Sequence, residues 1–332
     1  MLRVQVYLER LTHRVRLNEM AFVVNMESVM SCMILQVGDE PCNVDYRQLG
    51  FLQPVLRCNE SPDGDRAQTT VSSSDEHTRA PMQNDDRLQQ VLRDVTNDAV
   101  ERLAAVADRR QPGERSDQYQ LDLIVDGPMV DALLDAGVGV LSEEAGVIEP
   151  DRALVAIVDP VDGSTNASRG IPWFATSIAI VDDEGPVVSL VQNHATGERF
   201  EAVRGQGATR NGIPLSRPTP GPIANGIVGI NGVAPSVRPW AQFRTLGASA
   251  LDISYVASGA LDAYIDCDVE AHGVWDYLGA YLVCSELGVP IVDAFDRPLV
   301  HRDHTVRRTP VVAHDEETLH QLVELRRSMD QS

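Results

Sequence analysis

Residues 159–166 read DPVDGSTN and follow the apolar run ALVAIV, a pattern typical of a buried strand. Asp159 and Asp162 therefore stand at a strand end, where a desolvated carboxylate needs protons, cations or hydrogen bonds. Pro160 restricts the backbone between them, so both side chains and the Val161 carbonyl can converge on one oxygen-rich cluster. Magnesium prefers oxygen ligands of this kind. The stretch predicts a magnesium site, and a solvated turn before a capped helix is the alternative.

The residues that follow Asp162 have the composition of a helix N-terminus. Gly163 allows a ligand to approach the backbone closely. Ser164, Thr165 and Asn166 resemble an N-cap sequence. Because free N–H groups at the start of a helix can bind phosphate oxygens, we expect metal carboxylates and an anion-binding backbone side by side.

Three further carboxylates occupy comparable positions in the sequence. Glu143 and Glu144 follow the apolar strand VGVL, and adjacent acids repel each other unless they are exposed or bound to cations. Asp276 opens an otherwise apolar helix in VWDYLGAY, where interaction with the helix dipole is the alternative. A surface position is the alternative for the glutamates, but the whole set favours a shared metal centre.

The elements that must position these residues alternate between helix and strand from Ser116 onward. MVDALLDAG predicts a helix stopped by Gly137, and residues 173–215 predict three antiparallel strands joined by Gly-containing turns. Within them, RGQGATRNG lacks the strand-to-helix context of a phosphate loop and is interpreted as a hairpin. A second alternating half begins near residue 226. This order predicts layered helices and sheets in two lobes, 82–225 and 226–330, the second completing the active site.

The first 81 residues differ from the remainder of the chain. Residues 59–81 are rich in Ser, Asp and Thr and cannot bury enough apolar surface to order themselves, which predicts a linker. Apolar residues at helical spacing begin just after Met82. We therefore predict that residues 1–81 are a disordered extension or result from a wrongly assigned start, and that an independent unit begins at Met82.

Composition narrows the partners and the compartment. The formal charge is −21, and the chain has no lysine, so all 28 basic residues are arginine. This charge disfavours nucleic acid and anionic membrane as partners, and an anionic substrate would need metal cations at its site. The five cysteines form no CxxC pair, which indicates reduced thiols and a cytoplasmic location.

The segments LSEEAG, VDPVDGSTN and VWDYLGAYLVCSELG, in this order, together resemble the inositol monophosphatase family of magnesium-dependent, lithium-sensitive phosphatases. LGASALDISYVASGALDAY, which precedes the third segment, adds to the resemblance, which covers about residues 82–325. The resemblance implies an α+β fold, the layered αβαβα sandwich of the sugar-phosphatase type. It also implies a phosphoric monoester hydrolase that forms a homodimer.

The same resemblance implies a ligand set for two or three magnesium ions. Glu143, Asp159 and the Val161 carbonyl would hold one ion. Asp159, Asp162 and Asp276 would hold a second. A third ion is less secure because the family's upstream lysine and Thr-x-x-Asp element are absent here.

Catalytic and substrate-binding roles are implied in the same way. Ser164 stands where the family usually has threonine, and its hydroxyl would orient the attacking water together with Glu143. Asp126 would support that hydroxyl, and Glu144 would stand beside the metal ligands. Asp268 is the alternative to Asp266 as the acid that binds substrate hydroxyls. The predicted substrate-binding residues are Asp162, Gly163, Ser164, Gly247, Ala248, Ser249 and Asp266.

The leading substrate is inositol 1-phosphate, hydrolysed by metal-activated water. Alternatives are 3'-phosphoadenosine 5'-phosphate, fructose 1,6-bisphosphate and histidinol phosphate, and a noncatalytic phosphate-binding module is the alternative outside the enzymes. Few arginines stand near the motifs in sequence, which predicts a preference for monophosphates, although Arg169 follows the metal loop directly. His272 is interpreted as a hydrogen-bonding loop residue.

Overall fold

The computed structural model describes residues 84–113 and 119–329 with their side chains, and five strands between residues 4 and 44 as backbone. The chain divides into two compact units, residues 1–77 and 78–332. In the first unit β1 (Val4–Val6), β4 (Met33–Val37) and β5 (Glu40–Val44) form one antiparallel sheet, and β2 (Thr12–Leu17) pairs with β3 (Met20–Asn25). The predicted linker at 59–81 lies outside the described residues, and the dispensability of residues 1–81 stays a prediction.

The second unit contains a sheet of eight strands. Along the chain they are β6 (Gly139–Ser142), β7 (Gly146–Ile148), β8 (Val155–Asp162), β9 (Ala175–Asp182), β10 (Gly185–Asn193), β11 (Arg199–Val203), β12 (Gly207–Arg210) and β13 (Ile213–Pro214). Their order in the sheet is β13-β12-β11-β10-β9-β8-β6-β7, and only the β6–β8 pair is parallel. The region predicted as three strands forms five, because left-handed Gly205 and Gly207 add a further turn. The hairpin expected for RGQGATRNG is confirmed as the β11–β12 pair.

A second sheet of five strands follows. It contains β14 (Ile227–Asn231), β15 (Gln242–Arg244), β16 (Ala263–Asp266), β17 (Ile291–Asp293) and β18 (Pro310–Ala313). Their order is β15-β14-β16-β18-β17, parallel among the first three and antiparallel among the rest. β16 ends at Asp266, one of the residues singled out in the sequence.

Six α-helices complete the layers in the described part of the second unit. They are α1 (Asn84–Ala105), α2 (Gln120–Asp135), α3 (Ser164–Arg169), α4 (Ser249–Ala257), α5 (Leu278–Leu287) and α6 (Glu316–Met329). α1 and α2 pack on the face of the large sheet that carries Ile178 and Leu190, and α4 and α5 pack on the other face, which carries Ala179 and Val191. α6 contacts the small sheet. α4 also contacts the small sheet, so the order of layers is α, β, α, β, α as predicted. Among the described residues, no helix combines the length and apolarity that a membrane span requires.

Candidate active site

The end of β8 carries Asp159 and Asp162. Side chains three apart on a regular strand point to opposite faces of the sheet. The pairing of β8 with β9 shifts register between these two aspartates, which is the signature of a bulge that re-aims side chains. Thr176 on β9 donates a hydrogen bond of 2.7 Å to the Pro160 carbonyl inside this irregular stretch. The bulge therefore lets both carboxylates reach one cluster.

Asp276 joins them from a single turn of 3-10 helix, Val274–Asp276. One carboxylate oxygen from each of Asp159, Asp162 and Asp276 lies within 4.8 Å of the other two. Asp276 is oriented by the main-chain N–H of Gly273, which donates to its Oδ2 at 2.7 Å. The fold thus brings Asp276 to Asp159 and Asp162, from which it is more than a hundred residues away in sequence.

Glu143 and Glu144 follow β6, which runs parallel to β8. Because the carboxyl ends of parallel strands meet at one edge of a sheet, the glutamates arrive beside the aspartates. The Glu143 main-chain N–H donates to the Val158 carbonyl at 3.0 Å, which continues the β6–β8 pairing up to the cluster. Glu144 is partly buried, and its N–H donates to the Ser142 hydroxyl at 3.2 Å.

The electrostatics of these carboxylates are unfavourable without a cation. Burial, followed by the neighbouring Glu143 and Asp162 charges, raises the pKa of Asp159 well above its usual range. Burial and then the charge of Asp276 raise the pKa of Glu143 in the same direction, and raise that of Asp162 to about 7. Asp159 Oδ1 is buried and has no hydrogen-bond partner among the described residues.

Such a donor set fits a divalent cation. The oxygens are hard ligands, they converge, and one of them is buried and lacks a hydrogen-bonding group. Without protons or a cation this much buried negative charge would cost several kcal/mol, on the order given by charge desolvation. The residues present therefore fit magnesium.

The loop that leads into α3 packs against the segment predicted to line the substrate side. Gly163 has a φ of +86°, and a Cβ there would lie 2.9 Å from the Gly247 carbonyl oxygen and 3.2 Å from the Ala248 Cβ. Only glycine permits both the backbone conformation and the close approach. The Ser164 hydroxyl donates to the Val161 carbonyl at 2.9 Å, so two predicted site residues are already in contact.

Asn166 and Asp162 also form hydrogen bonds between the loop that leads into α3 and the segment around residues 246–250. Asn166 Nδ2 donates to the Leu246 carbonyl at 2.7 Å and to the Trp173 carbonyl at 2.8 Å. Asp162 Oδ2 accepts the Ala250 main-chain N–H at 2.7 Å. The predicted set from Asp162 to Ser164 and from Gly247 to Ser249 therefore forms one continuous wall of the site.

Asp266 ends β16 and is buried. Its Oδ1 accepts from Asn231 Nδ2 at 2.9 Å and from the Asp268 main-chain N–H at 3.0 Å. Its Oδ2 is buried and has no hydrogen-bond partner among the described residues. The contact of Asp266 with substrate hydroxyls stays a prediction. Asp268, the alternative, is exposed.

His272 is a hydrogen-bonding loop residue, as predicted, and it also lies beside a predicted metal ligand. It is buried, its Nε2 is 2.8 Å from the Tyr264 hydroxyl, and its Nδ1 is 3.4 Å from Asp276 Oδ2. Burial lowers the pKa of His272, but Asp276 and Asp266 outweigh it and raise the pKa to about 9. His272 thus lies between Asp276, a predicted metal ligand, and Tyr264 on β16 of the small sheet.

Asp122 is a site residue that the sequence reasoning missed. Its charge is among those that raise the pKa of Glu143 and Asp159, so it lies near the cluster. It accepts the Tyr119 main-chain N–H at 2.8 Å at the start of α2. Asp126, predicted to support the Ser164 hydroxyl, accepts a hydrogen bond from Ser142. For Asp122 the available sequence signal was a capping pattern, because an acid three residues after the N-cap, here Tyr119, marks the start of a helix.

Comparison with known proteins places this geometry among phosphatases. A sequence profile of the inositol monophosphatase family matches residues 73–330. The chain is 31% identical over 201 residues to the fructose-1,6-bisphosphatase of Pyrococcus furiosus, covering 60% of this chain and 79% of that protein. It is 30% identical over 206 residues to the fructose-1,6-bisphosphatase/inositol-1-monophosphatase of Methanocaldococcus jannaschii, covering 58% and 78%.

Solved structures confirm the fold. A Pyrococcus horikoshii protein described as similar to inositol-1 monophosphatase superposes with a TM-score of 0.65 at 23% identity, covering 72% of this chain and 97% of that one. Inositol monophosphatase II from Staphylococcus aureus superposes with a TM-score of 0.63 at 22% identity, covering 74% and 97%. The predicted α+β architecture is therefore the observed one.

Proposed function

Because the chain belongs to the inositol monophosphatase family, we propose that it hydrolyses a small phosphate monoester with magnesium bound among the clustered carboxylates. Family membership and the relatives identify a phosphoric monoester hydrolase. The observation that carries the metal site is the convergence of Asp159, Asp162 and Asp276 within 4.8 Å, together with the buried, unpartnered Asp159 Oδ1.

The proposed ligands divide into two groups that share Asp159. Glu143, Asp159 and the Val161 carbonyl would hold one ion, and Asp159, Asp162 and Asp276 would hold another. Bound magnesium supplies positive charge that neutralises phosphate oxygens and lowers the pKa of water. The raised pKa values of Asp159 and Glu143 support this arrangement, because cations favour the charged form of both groups.

The remaining steps fall to side chains and amides of this chain. The Ser164 hydroxyl donates its hydrogen bond to the Val161 carbonyl. The lone pairs of the hydroxyl oxygen are therefore free to accept a hydrogen bond from the attacking water. Glu143 would accept another and orient the same water. The main-chain N–H groups of Gly163 and Ser164 open α3, where N–H groups lack partners within the helix and can hold phosphate oxygens. Gly247, Ala248 and Ser249 would line the substrate.

The leading substrate is inositol 1-phosphate, as the resemblance implies. Fructose 1,6-bisphosphate is a second candidate, because relatives at about 30% identity carry both activities in their names. We further propose a cytoplasmic homodimer that is inhibited by lithium and binds neither nucleic acid nor membrane. Light scattering checks the dimer, and lithium chloride in the assay checks the inhibition.

A panel of phosphate esters tests the proposal. Phosphate release is measured from inositol 1-phosphate, fructose 1,6-bisphosphate, 3'-phosphoadenosine 5'-phosphate and histidinol phosphate, with magnesium and with chelator. We expect turnover of at least one ester that disappears in chelator. Undiminished turnover in chelator contradicts the metal site. Binding of inorganic phosphate without turnover of any ester would instead indicate the noncatalytic module.

A further inference from the structure

The long loop between β17 and β18, residues 294–309, lies beside the candidate site. The Tyr277 hydroxyl donates to the Leu299 carbonyl of this loop at 2.7 Å. Near the end of the loop, the Arg308 main-chain N–H donates to the His272 carbonyl at 2.8 Å. These hydrogen bonds hold the loop against the segment that carries a proposed metal ligand. We refer to residues 294–309 as the β17–β18 loop.

His304 in the β17–β18 loop is partly buried and contacts Glu143. Its Nε2 lies 3.3 Å from the Glu143 main-chain carbonyl oxygen. Because a carbonyl oxygen only accepts, Nε2 is the donor of this hydrogen bond. The Glu143 N–H already donates to the Val158 carbonyl at 3.0 Å. One peptide plane on each side of the Glu143 Cα is thus restrained, and with it the direction in which the carboxylate leaves the chain.

The same imidazole contacts the residue before Asp276. The ring centroids of His304 and Trp275 are 4.7 Å apart, and Trp275 is almost fully buried. The Trp275 carbonyl accepts a hydrogen bond from the Ser177 hydroxyl at 3.1 Å. Arg307 lies against the same indole, with its guanidinium carbon 4.9 Å from the ring centroid, and donates to the His304 carbonyl at 2.8 Å. The backbone and the side chain of Trp275 are therefore both held in place.

The two loops that His304 joins carry carboxylates that repel each other. After burial, the charge of Asp276 is the largest cause of the raised pKa of Glu143. Without a cation, this repulsion favours separation of the two loops. In the proposed arrangement Glu143 and Asp276 bind different ions that share Asp159, so both ions can bind only if the loops keep their separation. A contact that holds the loops before the ions bind lowers the cost of assembling the site.

We propose that His304 is a positioning residue of the metal site, whose imidazole joins the end of β6 to the turn at Val274–Asp276 and so keeps the ligands of the two ions at a fixed separation. The inference rests on the proposed function, because it requires magnesium among the carboxylates. His304 acts through Glu143 and Trp275 and not through the substrate. It lies 161 residues after Glu143 in the chain, and no motif in the sequence identified it.

Two substitutions separate the two contacts of His304. His304→Phe keeps a ring beside Trp275 and removes the donor to Glu143. His304→Gln keeps an N–H donor and removes the ring. His320→Phe is the matched control, because the His320 ring also bonds a main-chain carbonyl, that of Glu316 at 2.8 Å, but is exposed on α6.

Magnesium binding is measured by titration calorimetry on protein freed of metal, and turnover of the most active ester is measured against magnesium concentration. We expect His304→Phe to weaken magnesium binding and to raise the half-maximal magnesium concentration about three- to tenfold, as for loss of a hydrogen bond that orients a ligand. kcat at saturating magnesium should stay within about threefold of wild type, because the bound ions then hold the loops. His304→Gln should bind magnesium more tightly than His304→Phe, and His320→Phe should match wild type.

Thermal unfolding in chelator separates positioning from folding. A lower melting temperature of His304→Phe with unchanged magnesium binding would restrict His304 to a structural role and overturn the proposal. If wild type binds magnesium and hydrolyses an ester, equal magnesium affinity in His304→Phe overturns the inference alone and leaves the proposed function intact. If wild type binds no magnesium, the proposed metal site fails, and the inference fails with it.

Discussion

Asp162 Oδ2 accepts the main-chain N–H of Ala250 at 2.7 Å, across 88 residues of sequence. Ala250 lies in the first turn of α4, where main-chain N–H groups lack intrahelical partners and carry partial positive charge. The same hydrogen bond lowers the pKa of Asp162, partly offsetting the larger effects of burial and of Asp276. α4 also contacts the small sheet, so the bond makes the metal loop of the large sheet depend on the second half of the chain.

Asp159→Asn should reduce turnover by orders of magnitude, because Asp159 is proposed as a ligand shared by both ions and its loss removes much of the water activation. A magnesium titration of activity provides the measurement. Asp183→Asn changes the same charge at a fully exposed side chain and should match wild type. A wild-type response from Asp159→Asn would mean that the carboxylate binds no ion needed for turnover.

Asp276→Asn should raise the magnesium concentration that gives half-maximal activity before it abolishes turnover. Asp276 is proposed to contact only one of the two ions, and its carboxylate is less buried than those of Asp159 and Asp162. The same titration checks this, with activity followed up to saturating magnesium. An unchanged half-maximal concentration would place Asp276 outside the metal site.

The metal-free protein should become less stable as pH rises from about 4 to 7. The pKa of Asp162 is about 7 in the folded protein against an ordinary value of 3.8, so between these values the folded state holds a proton that the unfolded state has released. The stabilisation that comes from this bound proton is complete below the unfolded-state pKa and is lost as pH rises through the folded-state pKa. Between the two pKa values the free energy of unfolding falls by about 1.4 kcal/mol per pH unit for one proton.

Thermal unfolding in chelator at several pH values measures the slope. Asp162→Asn should flatten it, and Asp183→Asn should leave it unchanged. Saturating magnesium should raise the melting temperature most at high pH, because the ion binds the charged form. A slope that is identical in wild type and Asp162→Asn would contradict the assignment.

Thr176→Val should weaken the metal loop without touching a ligand. The Thr176 hydroxyl donates to the Pro160 carbonyl at 2.7 Å and accepts from His194 Nε2, also at 2.7 Å. Burial lowers the pKa of His194 to about 4, so the ring is neutral and has one proton to donate. Valine leaves a buried carbonyl and a buried imidazole unsatisfied, at a cost of about 1–3 kcal/mol.

Melting temperature and the magnesium requirement test this variant together. We expect a lower melting temperature and a severalfold higher half-maximal magnesium concentration. Thr209→Val, the same change at a partly buried position on β12, is the control and should alter neither greatly. A loss of stability with an unchanged magnesium requirement would restrict Thr176 to a structural role.

A chain that begins at Met82 should be soluble and as active as the full chain. The prediction rests on the polar stretch before Met82 and on the helical spacing after it, which becomes α1. The described site residues all lie between 119 and 308. Aggregation of the shortened chain, or loss of most of its activity, would show that the preceding residues stabilise the second unit.

The carboxylates of the proposed metal site could be predicted because their signals are local. Neighbouring residues determine where a strand ends and where proline or a left-handed glycine redirects the backbone. The residues that follow a buried strand therefore lie at the edge of the sheet. Glu143, Asp159, Asp162 and Asp276 were therefore predicted and then found together in the structure. The layered α+β fold followed in the same way, since helix and strand periods are properties of short segments.

Only the tertiary structure decided which residues surround that cluster. Asp266 ends β16, and its carboxylate accepts a hydrogen bond from Asn231, which lies 35 residues earlier in the chain. Asp122 and Asp126 lie one turn apart on the same face of α2. The charge of Asp122 helps to raise the pKa of Glu143, whereas Asp126 accepts a hydrogen bond from the neighbouring residue, Ser142. The Arg307 guanidinium carbon lies 4.9 Å from the Trp275 ring centroid, a contact between two loops that no sequence pattern predicted. The sequence by itself determined which carboxylates stand at the ends of strands and at the start of a helical turn, through local backbone chemistry. Long-range packing, which no local pattern encodes, determined their charge environment.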